Sequence, residues 1–484
     1  MKNKKNFIIY DKINRDLCIV LNRFIENNKK NLVLKFNQIN LVSEYKNYLY
    51  TKIVQNIQFN NFYFDLINND LKKDYYVANT EEKEILEEIC KLNKIKNINI
   101  SINILFLLNK TNFILIKIFF YLLTFFSLEN LNTTKEKKKF FCFSNHKKYN
   151  NFFLKLFKKK TVYIFEQNYF KFFFNLILKS KFLLRNINQK NKINYFFFQR
   201  HFVKLNFFEY ELSKYDFNSI IYFEGDSPDH TLISYIGKKK GIKSLCIQWG
   251  GILWNKPKLP FQNLSCDYFF CWGKNYVNKF KKYNKRTIFF NVGNPFLEKK
   301  KNFSNKKIIF LIPQKSILFV NEIKKKYFEF LYWLLKNYKS LIQIRCHPIE
   351  LENNELFKNN SISKNNLIMP GENIYKVLKN FSIIIGSVSS VMLEASKIGL
   401  IPIFYLPRSN SIYLWSNTLY KLKKLNKVNL FCDDLNLLKK NITYLLNRNN
   451  YKEVLKIKKI LNNEISLIGK DSKKKILNKI NLIS

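Results

Sequence analysis

Serine hydroxyls and backbone N–H groups that could bind a phosphate follow an apolar run late in the chain, in GSVSSVMLEASKIGLIP (Gly386–Pro402). The run before this segment predicts a strand, and the residues after it predict a helix that carries Glu394. Free N–H groups at the start of a helix bind anions, and the hydroxyls of Ser387, Ser389 and Ser390 add donors. We therefore expect a phosphate site here; the alternative is that Ser389 serves only as the helix N-cap.

A second candidate site lies in LIQIRCHPIE (341–350), where an apolar strand delivers Arg345 and His347 to its end. The two side chains lie on the same face of the strand, because they are two residues apart. Arg binds phosphate through two parallel hydrogen bonds, and His can donate a hydrogen bond or a proton to a departing phosphate. Pro348 then turns the chain, so we favour a functional pair over a structural histidine.

Carboxylates suited to general-base catalysis occur in YFEGDSPDH (222–230). Glu224 ends a buried strand, Gly225 allows a tight turn, and Asp226 follows. A carboxylate at the end of a strand beside an apolar sheet can have a raised pKa and accept a proton. We therefore predict Glu224 as the base, with Asp226 in reserve; a polar turn that caps the next helix is the structural alternative.

A glycine pair follows the next strand in CIQWGGILW (246–254). Gly250 and Gly251 allow a ligand to approach the backbone closely, and we expect Gln248 and Trp249 to project toward it. We predict that these four residues lie on the acceptor side of the site. Gly273 and the segment Gly293-Asn294-Pro295 are interpreted mainly as turns and a hinge.

Motifs for a cofactor or a metal are missing from the sequence. It has no GxGxxG or Walker A stretch, and Asp433-Asp434 is not the spaced D-x-D that holds a divalent ion. The eight cysteines include no C-x-x-C pair, so they predict neither a zinc site nor a redox motif. We expect a metal-independent reaction with no cofactor, in a reducing cytoplasmic interior.

Alternating apolar strands and helical stretches from about residue 138 onward must position these residues. They predict an α/β protein with two doubly wound, Rossmann-like domains that face each other across a cleft, because parallel sheets bind ligands beyond the carboxyl ends of their strands. All 11 Gly and 9 Pro occur at or after Gly225, which places the special backbone positions in roughly 220–410. The predicted divisions are 1–135, a mostly helical region that belongs with the acceptor domain; 136–297, the acceptor domain; 305–460, the nucleotide-sugar domain; and 461–484, a C-terminal helix.

The charge of the chain at first indicates a polyanionic partner. Of its 484 residues, 84 are Lys or Arg and 35 are Asp or Glu, which gives a net charge of +49. Lys, Asn, Ile, Phe and Tyr share AT-rich codons, so we favour coding bias over a specific nucleic-acid surface. With 47% hydrophobic residues the chain is not disordered throughout.

Two observations bear on membranes and targeting. The apolar stretch 102–128 contains Asn and Lys and falls short of a spanning helix, and the first residues do not match a signal peptide. The basic, apolar stretches around 152–208 predict contact with an anionic membrane surface.

From Tyr222 to Tyr405 the order of these motifs resembles bacterial GT-B-type transferases of surface-polysaccharide synthesis. The shared elements are Phe223-Glu224-Gly225, Gln248-Trp249-Gly250, Gly293-Asn294-Pro295, His347-Pro348 and Ser389-Ser390. Bacterial sialyl- and polysialyltransferases similarly carry an acidic-Gly element, a His-Pro element and a serine pair. The resemblance implies that Glu224 is the base, that His347 is a phosphate ligand or acid, and that both serines bind the phosphate of a nucleotide, with cytidine favoured.

The chain departs from that group at two positions. Phe223 stands where a second acidic residue is expected, and Trp249 stands where capsule-synthesis and glycerophosphotransferase relatives commonly have His. Because Trp249 cannot act as a base, the polyol-phosphate interpretation is weakened.

Together these features predict an inverting glycosyltransferase of capsule or lipopolysaccharide synthesis, peripheral on the inner face of the cytoplasmic membrane. Its partners would be a nucleotide sugar, in which Glu394 hydrogen-bonds the ribose, and a saccharide or lipid-linked saccharide acceptor. The alternatives are a CDP-polyol phosphotransferase, a non-hydrolysing sugar-nucleotide epimerase, and a non-enzymatic protein that binds membranes or nucleic acid.

Overall fold

The computed structural model describes most of the two predicted α/β regions and part of the N-terminal region. The described residues are 9–27, 35–36, 39–40, 42–54, 59, 62–63, 65–66, 71–77, 80–102, 139–144, 147–166, 208–209, 211–213, 215–251, 258–298, 306–312, 321–345, 364–368, 374–387, 389–407, 424–425, 428–447 and 449–483. The apolar stretch 103–128 lies outside them, as does 167–207, most of the basic, apolar region predicted to contact a membrane. No helix within the described ranges is long and apolar enough to span a bilayer.

Helices and two small sheets make up the described N-terminal part. Its elements are α1 (Ile9–Asn27), β1 (Lys35–Phe36), β2 (Ile39–Asn40), α2 (Val42–Val54), β3 (Asp74–Val77), α3 (Thr80–Leu92) and β4 (Asn99–Ile102). Strands β1 and β2 pair antiparallel, whereas β3 and β4 pair parallel. Helix α1 packs against α2 and α3.

The first large sheet has six parallel strands in the order β10-β9-β8-β7-β5-β6. Its elements are β5 (Phe140–Ser144), α4 (Lys147–Leu156), β6 (Val162–Glu166), β7 (Ser219–Phe223), α5 (Pro228–Lys239), β8 (Lys243–Ile247), α6 (Leu259–Gln262), β9 (Tyr268–Cys271), α7 (Lys274–Lys281) and β10 (Ile288–Asn291). The N-terminal helix α2 packs on α5 and α6, so the N-terminal part lies against this domain.

Both faces of this first sheet are buried, which explains why its strands are continuous apolar runs. Along β7, Ile220 and Tyr222 point into one core, whereas Ile221 and Phe223 point into the other. This alternation follows from the two-residue repeat of a strand. The last residue of β7 is therefore in the core, and the next residue is the first at the carboxyl edge of the sheet.

The second sheet also has six parallel strands, in the order β13-β12-β11-β14-β15-β18. The remaining elements are β11 (Ile308–Leu311), α8 (Asn321–Tyr338), β12 (Ile342–Arg345), β13 (Leu367–Ile368), α9 (Ile374–Val377), β14 (Ile383–Gly386), α10 (Ser390–Ile398), β15 (Ile401–Tyr405), β16 (Lys424–Leu425), β17 (Val428–Asn429), β18 (Phe431–Cys432), α11 (Leu435–Leu446), α12 (Tyr451–Ile460) and α13 (Gly469–Ile483). The predicted fold class, two doubly wound α/β domains, is confirmed.

After α12 the chain returns to the first domain through a segment that we call the crossing segment, residues 461–468. Its Ser466 N–H donates to the Trp272 carbonyl at 2.9 Å, and Asn294 N–H donates to the Leu467 carbonyl at 2.8 Å. Helix α13 then packs on the first sheet through Ile476 and Ile480. The two domains are therefore joined twice along the chain.

Candidate functional site

Glu224, the predicted base, lies at the centre of a tight turn directly after β7. The Gly225 N–H donates to the Phe223 carbonyl at 3.0 Å, which closes a three-residue γ-turn, and the φ angle of Glu224 is +78°. A positive φ strains a residue with a side chain by about 1–3 kcal/mol, and such strain is concentrated at functional sites. The turn separates Glu224 from Phe223, whose side chain stays in the core.

Gly225 is required at its position for two reasons. Its φ is +80°, and a Cβ there would lie 2.8 Å from the Cys246 sulfur atom. Asp226 follows and interacts with Lys258, which precedes α6. Burial raises the pKa of Asp226, and the positive charge of Lys258 partly opposes that rise. Asp226 therefore has the electrostatic character of a reserve base.

Tyr149 of α4 lies beside these carboxylates. Its ring stacks on Phe223 with a centroid distance of 4.2 Å and contacts Phe296 at 6.0 Å. Burial raises the pKa of Tyr149, and the negative charges of Glu224, Glu394 and Asp226 raise it further. The hydroxyl is therefore a neutral hydrogen-bond donor near three carboxylates.

Glu394 of α10 approaches the same point from the second domain. It is 2% exposed. Burial and a hydrogen bond to Glu394 raise the pKa of Tyr375, which lies on α9. The Tyr375 ring stacks with Phe296 of the first domain at 6.4 Å. Two carboxylates and two phenols from both domains thus form one group, here called the acid–tyrosine cluster: Glu224, Glu394, Tyr149 and Tyr375.

The Gln248 side chain is engaged with the backbone of its own loop. Its amide nitrogen donates to the Gly250 carbonyl at 2.8 Å, and its amide oxygen accepts from the Trp272 N–H at 2.9 Å. The Trp272 indole N–H donates to the Gln248 carbonyl at 2.8 Å. Gln248 therefore fixes the position of the glycine pair, whereas Trp249 is 41% exposed.

The glycine pair meets the second domain at the start of α10. A Cβ on Gly251 would lie 3.2 Å from the Ser390 Cβ, and one on Gly250 would lie 3.9 Å from the Ser390 hydroxyl. The carboxyl edge of the first sheet therefore faces the N-terminus of α10. Gly250 and Gly251 thus lie against Ser390 where the two domains meet.

The other residues of the serine segment have identifiable local contacts. Ser389 is the N-cap of α10, and its hydroxyl accepts from the Val391 N–H at 3.3 Å. Gly386 is tightly packed, since a Cβ there would lie 3.1 Å from the Leu311 Cβ and 3.3 Å from the Met392 sulfur. Ser387 is buried at the end of β14. The N-cap alternative for Ser389 is thus observed, although a cap hydroxyl beside a free helix end can still contact an anion.

Arg345 ends β12 and is 8% exposed. Its carbonyl accepts from the Ile312 N–H at 2.9 Å, which fixes the strand end next to β11. His347 lies outside the described residues, so its predicted pairing with Arg345 stays a prediction. No group of His, Cys, Asp and Glu suited to a metal ion occurs within the described ranges.

Sequence reasoning missed the aromatic members of the site. Tyr149, Tyr375 and Phe296 gave no signal, because Phe and Tyr occur throughout the chain. It also interpreted Gly273 and Gly293 as turns and a hinge, whereas each contacts the crossing segment. A Cβ on Gly273 would lie 2.3 Å from the Asn463 and Glu464 carbonyl oxygens, and one on Gly293 would lie 2.3 Å from the Leu467 oxygen.

Comparison with known proteins gives no family. No family profile and no curated protein matches the chain. Among solved structures it is similar to UDP-GlcNAc 2-epimerase from Methanocaldococcus jannaschii, with 16% identity, a TM-score of 0.44, and coverage of 72% of this chain and 100% of that one. UDP-GlcNAc 2-epimerase from Neisseria meningitidis, bound to UDP-GlcNAc, is similar at 14% identity with a TM-score of 0.45. The match covers 71% of this chain and 100% of that one.

A wall teichoic acid polymerase, TagF, is similar at 12% identity with a TM-score of 0.43 and covers 71% of this chain and 88% of that chain. These identities and TM-scores are too low to assign the chain to a family.

Proposed function

We propose that this protein is a glycosyltransferase of surface-polysaccharide synthesis that moves a sugar from a nucleotide donor to a saccharide acceptor without a metal. The strained Glu224 carries this proposal. A γ-turn with φ +78° holds its carboxylate at the carboxyl edge of the first sheet, near the second domain. Strain of this kind is retained where a fixed direction of the side chain is useful.

In the proposed reaction the acceptor hydroxyl oxygen attacks the anomeric carbon of the donor sugar. The bond from that carbon to the nucleotide phosphate breaks, and the phosphate leaves with the electron pair. Glu224 accepts the hydroxyl proton, and Asp226, whose pKa is raised by burial, stands in reserve. One such displacement inverts the configuration at the anomeric carbon.

The donor nucleotide would bind at the carboxyl edge of the second sheet, with cytidine as the favoured base. Ser387, Ser389 and Ser390 lie at the end of β14 and the start of α10, where N–H groups favour a phosphate. Arg345 lies at the end of β12 in the same sheet. Preorganised donors of this kind stabilise the charge that develops on the departing phosphate.

We further propose that His347 contacts the phosphate, as the resemblance implies, that Glu394 binds the ribose, and that Gly386 keeps the strand end close to α10. The acceptor would lie near the loop of Gln248, Trp249, Gly250 and Gly251, whose glycine pair lies against Ser390. A capsule or lipopolysaccharide acceptor, free or lipid-linked, fits a peripheral enzyme at the inner face of the cytoplasmic membrane.

A thermal-shift screen with CMP, CDP, UDP and GDP tests the donor site. A nucleotide that binds only the folded state raises the melting temperature, so the preferred base is identified directly. Glu224→Gln should keep this shift and lose at least about a hundredfold in the rate of transfer to acceptor, since it removes the base alone. Tyr163→Phe is the matched control, because it removes another Tyr–Glu contact of the first domain, the 2.6 Å hydrogen bond to Glu211, and should leave transfer unchanged.

Three outcomes would contradict the proposal. No shift with any nucleotide would exclude the donor site, and full transfer by Glu224→Gln would exclude the base. Turnover of a sugar nucleotide with no acceptor would indicate an epimerase instead.

A further inference from the structure

The amino-end edge of the first sheet is lined with basic residues, on the side opposite the candidate site. The turns that lead from helices into parallel strands all lie at this edge. Three such turns, before β6, β8 and β10, carry runs of exposed basic residues, and single lysines stand at the starts of β5 and β8. These residues, here called the basic edge, are Lys139, Lys158, Lys159, Lys160, Lys238, Lys239, Lys240, Lys243, Lys281, Lys282, Lys285 and Arg286.

The opposite edge of the same sheet has a different composition. The described residues that follow its strands, 224–227, 248–251, 272–273 and 292–297, include Glu224 and Asp226 but no Lys or Arg. The nearest basic residues along the described chain are Lys147 and Lys148 at the start of α4, Lys258 before α6 and Lys274 at the start of α7, fewer than at the basic edge. Coding bias acts on all codons of the domain equally, so it accounts for the total charge but not for this asymmetry.

Helix dipoles explain only part of the basic edge. Cations are favourable in the last turn of a helix, which covers Lys238, Lys239 and Lys281. Lys158–Lys160 and Lys285 lie beyond the helices that precede them, where the dipole effect has fallen off. The second domain is mixed in this respect: Lys306 and Lys307 precede β11 and Lys339 precedes β12, whereas the turn after α10 consists of Gly399 and Leu400 and carries no charge.

Acidic residues neutralise little of this edge. The described ones are Glu209, Asp216, Asp267 and the buried Glu211, which accepts from the Tyr163 hydroxyl. Glu209 lies 3.7 Å from Lys239 in an exposed ion pair. The Asp267 carboxylate accepts from the Ser244 N–H and hydroxyl, both at 2.9 Å.

Apolar side chains are exposed among the lysines. Tyr283 is 39% exposed in the turn before β10, and Ile288, the first residue of that strand, is 53% exposed. Leu154, in the last turn of α4, is 45% exposed. An anionic bilayer accommodates both features, since headgroups attract lysine and the interfacial region accepts apolar side chains. Nucleic-acid phosphates would leave the aliphatic side chains in water.

We propose that the basic edge is the surface by which this protein binds an anionic lipid bilayer. This identifies a surface for the membrane partner of the proposed function, but it depends on the charge distribution alone. Because the basic edge and the acid–tyrosine cluster lie at opposite ends of the same parallel strands, the candidate site opens away from the bilayer. The growing end of an acceptor, rather than a lipid anchor, would then reach the site.

Vesicle flotation with the full chain tests this surface. The probes are vesicles of phosphatidylcholine alone and vesicles of phosphatidylcholine with phosphatidylglycerol in equal parts. A variant with Lys159→Glu, Lys240→Glu, Lys282→Glu and Lys285→Glu should bind the anionic vesicles at least about tenfold more weakly than the parent. The control variant, Lys336→Glu, Lys339→Glu, Lys440→Glu and Lys456→Glu, changes the same number of exposed lysines outside the first sheet and should stay within about twofold of the parent.

Because the two variants have the same net charge, a difference in their binding depends on where the lysines lie and not on the total charge. The proposal is overturned if both variants lose binding equally, if the parent does not float with anionic vesicles, or if the parent binds RNA in preference to them at physiological salt. Melting temperatures close to that of the parent show that each variant is folded. Transfer activity is not the readout, so failure here leaves the proposed reaction standing, and the reverse also holds.

Discussion

Glu224 occupies a backbone conformation that glycine adopts without strain. Its φ of +78° is followed by a φ of +80° at Gly225, so two successive residues are left-handed. The first of them carries a charged side chain, so its conformation raises the free energy of the folded state. At the scale of a single residue, therefore, the conformation that fixes the direction of the Glu224 carboxylate reduces the stability of the fold.

Glu224→Gly should relieve this strain. We expect the variant to be more stable than the parent by about 1 kcal/mol, because the cost of a left-handed conformation disappears. The same variant should be inactive in sugar transfer. Chemical denaturation measures the first effect, and the transfer assay measures the second.

Lys94→Gly is the control for this prediction. Lys94 has a φ of +56° in the N-terminal part of the chain, so glycine should stabilise it similarly while activity stays intact. If Glu224→Gly destabilised the protein by as much as an ordinary helix-interior glycine does, the strain would not be real.

Residue types revealed part of the site in advance. Glu224 and the serine segment stood out because Gly and charged residues interrupt apolar runs there. Tyr149 and Tyr375 did not, since 48 Phe and 28 Tyr leave a single aromatic residue without contrast. Their role depends on which helices meet between the domains, and the local sequence contains no trace of that.

Among the elements, strands with two buried faces were the most predictable. Runs such as SIIYF and IPIFY are almost entirely apolar and fully buried, and both are parallel strands with a neighbour on each side. The edge strand β10 was not predicted, because its residues are less buried and lead directly into the glycine at 293. The crossing segment was also missed; its contact from Ser466 to the Trp272 carbonyl spans 194 residues of sequence.

Gly273→Ala should disrupt the crossing segment. Its φ of −153° suits any residue, so the cost comes from the Cβ, which would lie 2.3 Å from two carbonyl oxygens. The backbone must move, and we expect a loss of about 3 kcal/mol in the free energy of unfolding. Limited proteolysis should then cleave near residues 461–468.

Gly241→Ala provides the comparison. Gly241 has a φ of +73° and no atom within 4 Å of an added Cβ, so only the backbone term of about 1 kcal/mol applies. A loss for Gly273→Ala that is no larger than this one would contradict the tight contact.

In the folded molecule as a whole, a positive charge is placed in a buried position at Lys397. Lys397 on α10 is 8% exposed, and its ammonium donates to Asn462 Oδ1. Burial, together with the nearby charge of Lys458, lowers the pKa of Lys397 from 10.5 to about 8. The folded protein thus bears the cost of a buried charge at neutral pH.

Lys397→Met should therefore stabilise the fold in a pH-dependent manner. Between about pH 8 and 10.5 the folded state holds fewer protons than the unfolded state, so the stability of the parent rises with pH across that window. We expect the variant to exceed the parent by about 1 kcal/mol at pH 7, a value reduced for solvent screening, and to lose that advantage near pH 10.5. Denaturant titrations at the two pH values measure it.

The exposed Lys456→Met on α12 is the control and should change stability little at either pH. A stability gain from Lys397→Met that increased with pH would contradict the prediction.

The return of the chain to its first domain also has a consequence for biosynthesis. The core that contains Phe223, Phe270 and Val292 is completed by Ile476 and Ile480. At translation rates of about 5–20 residues per second, the ribosome needs roughly 10–40 s to pass from the first group to the second. During that interval the apolar sheet face lacks its last helix, so we expect the nascent first domain to bind chaperones until α13 has been synthesised.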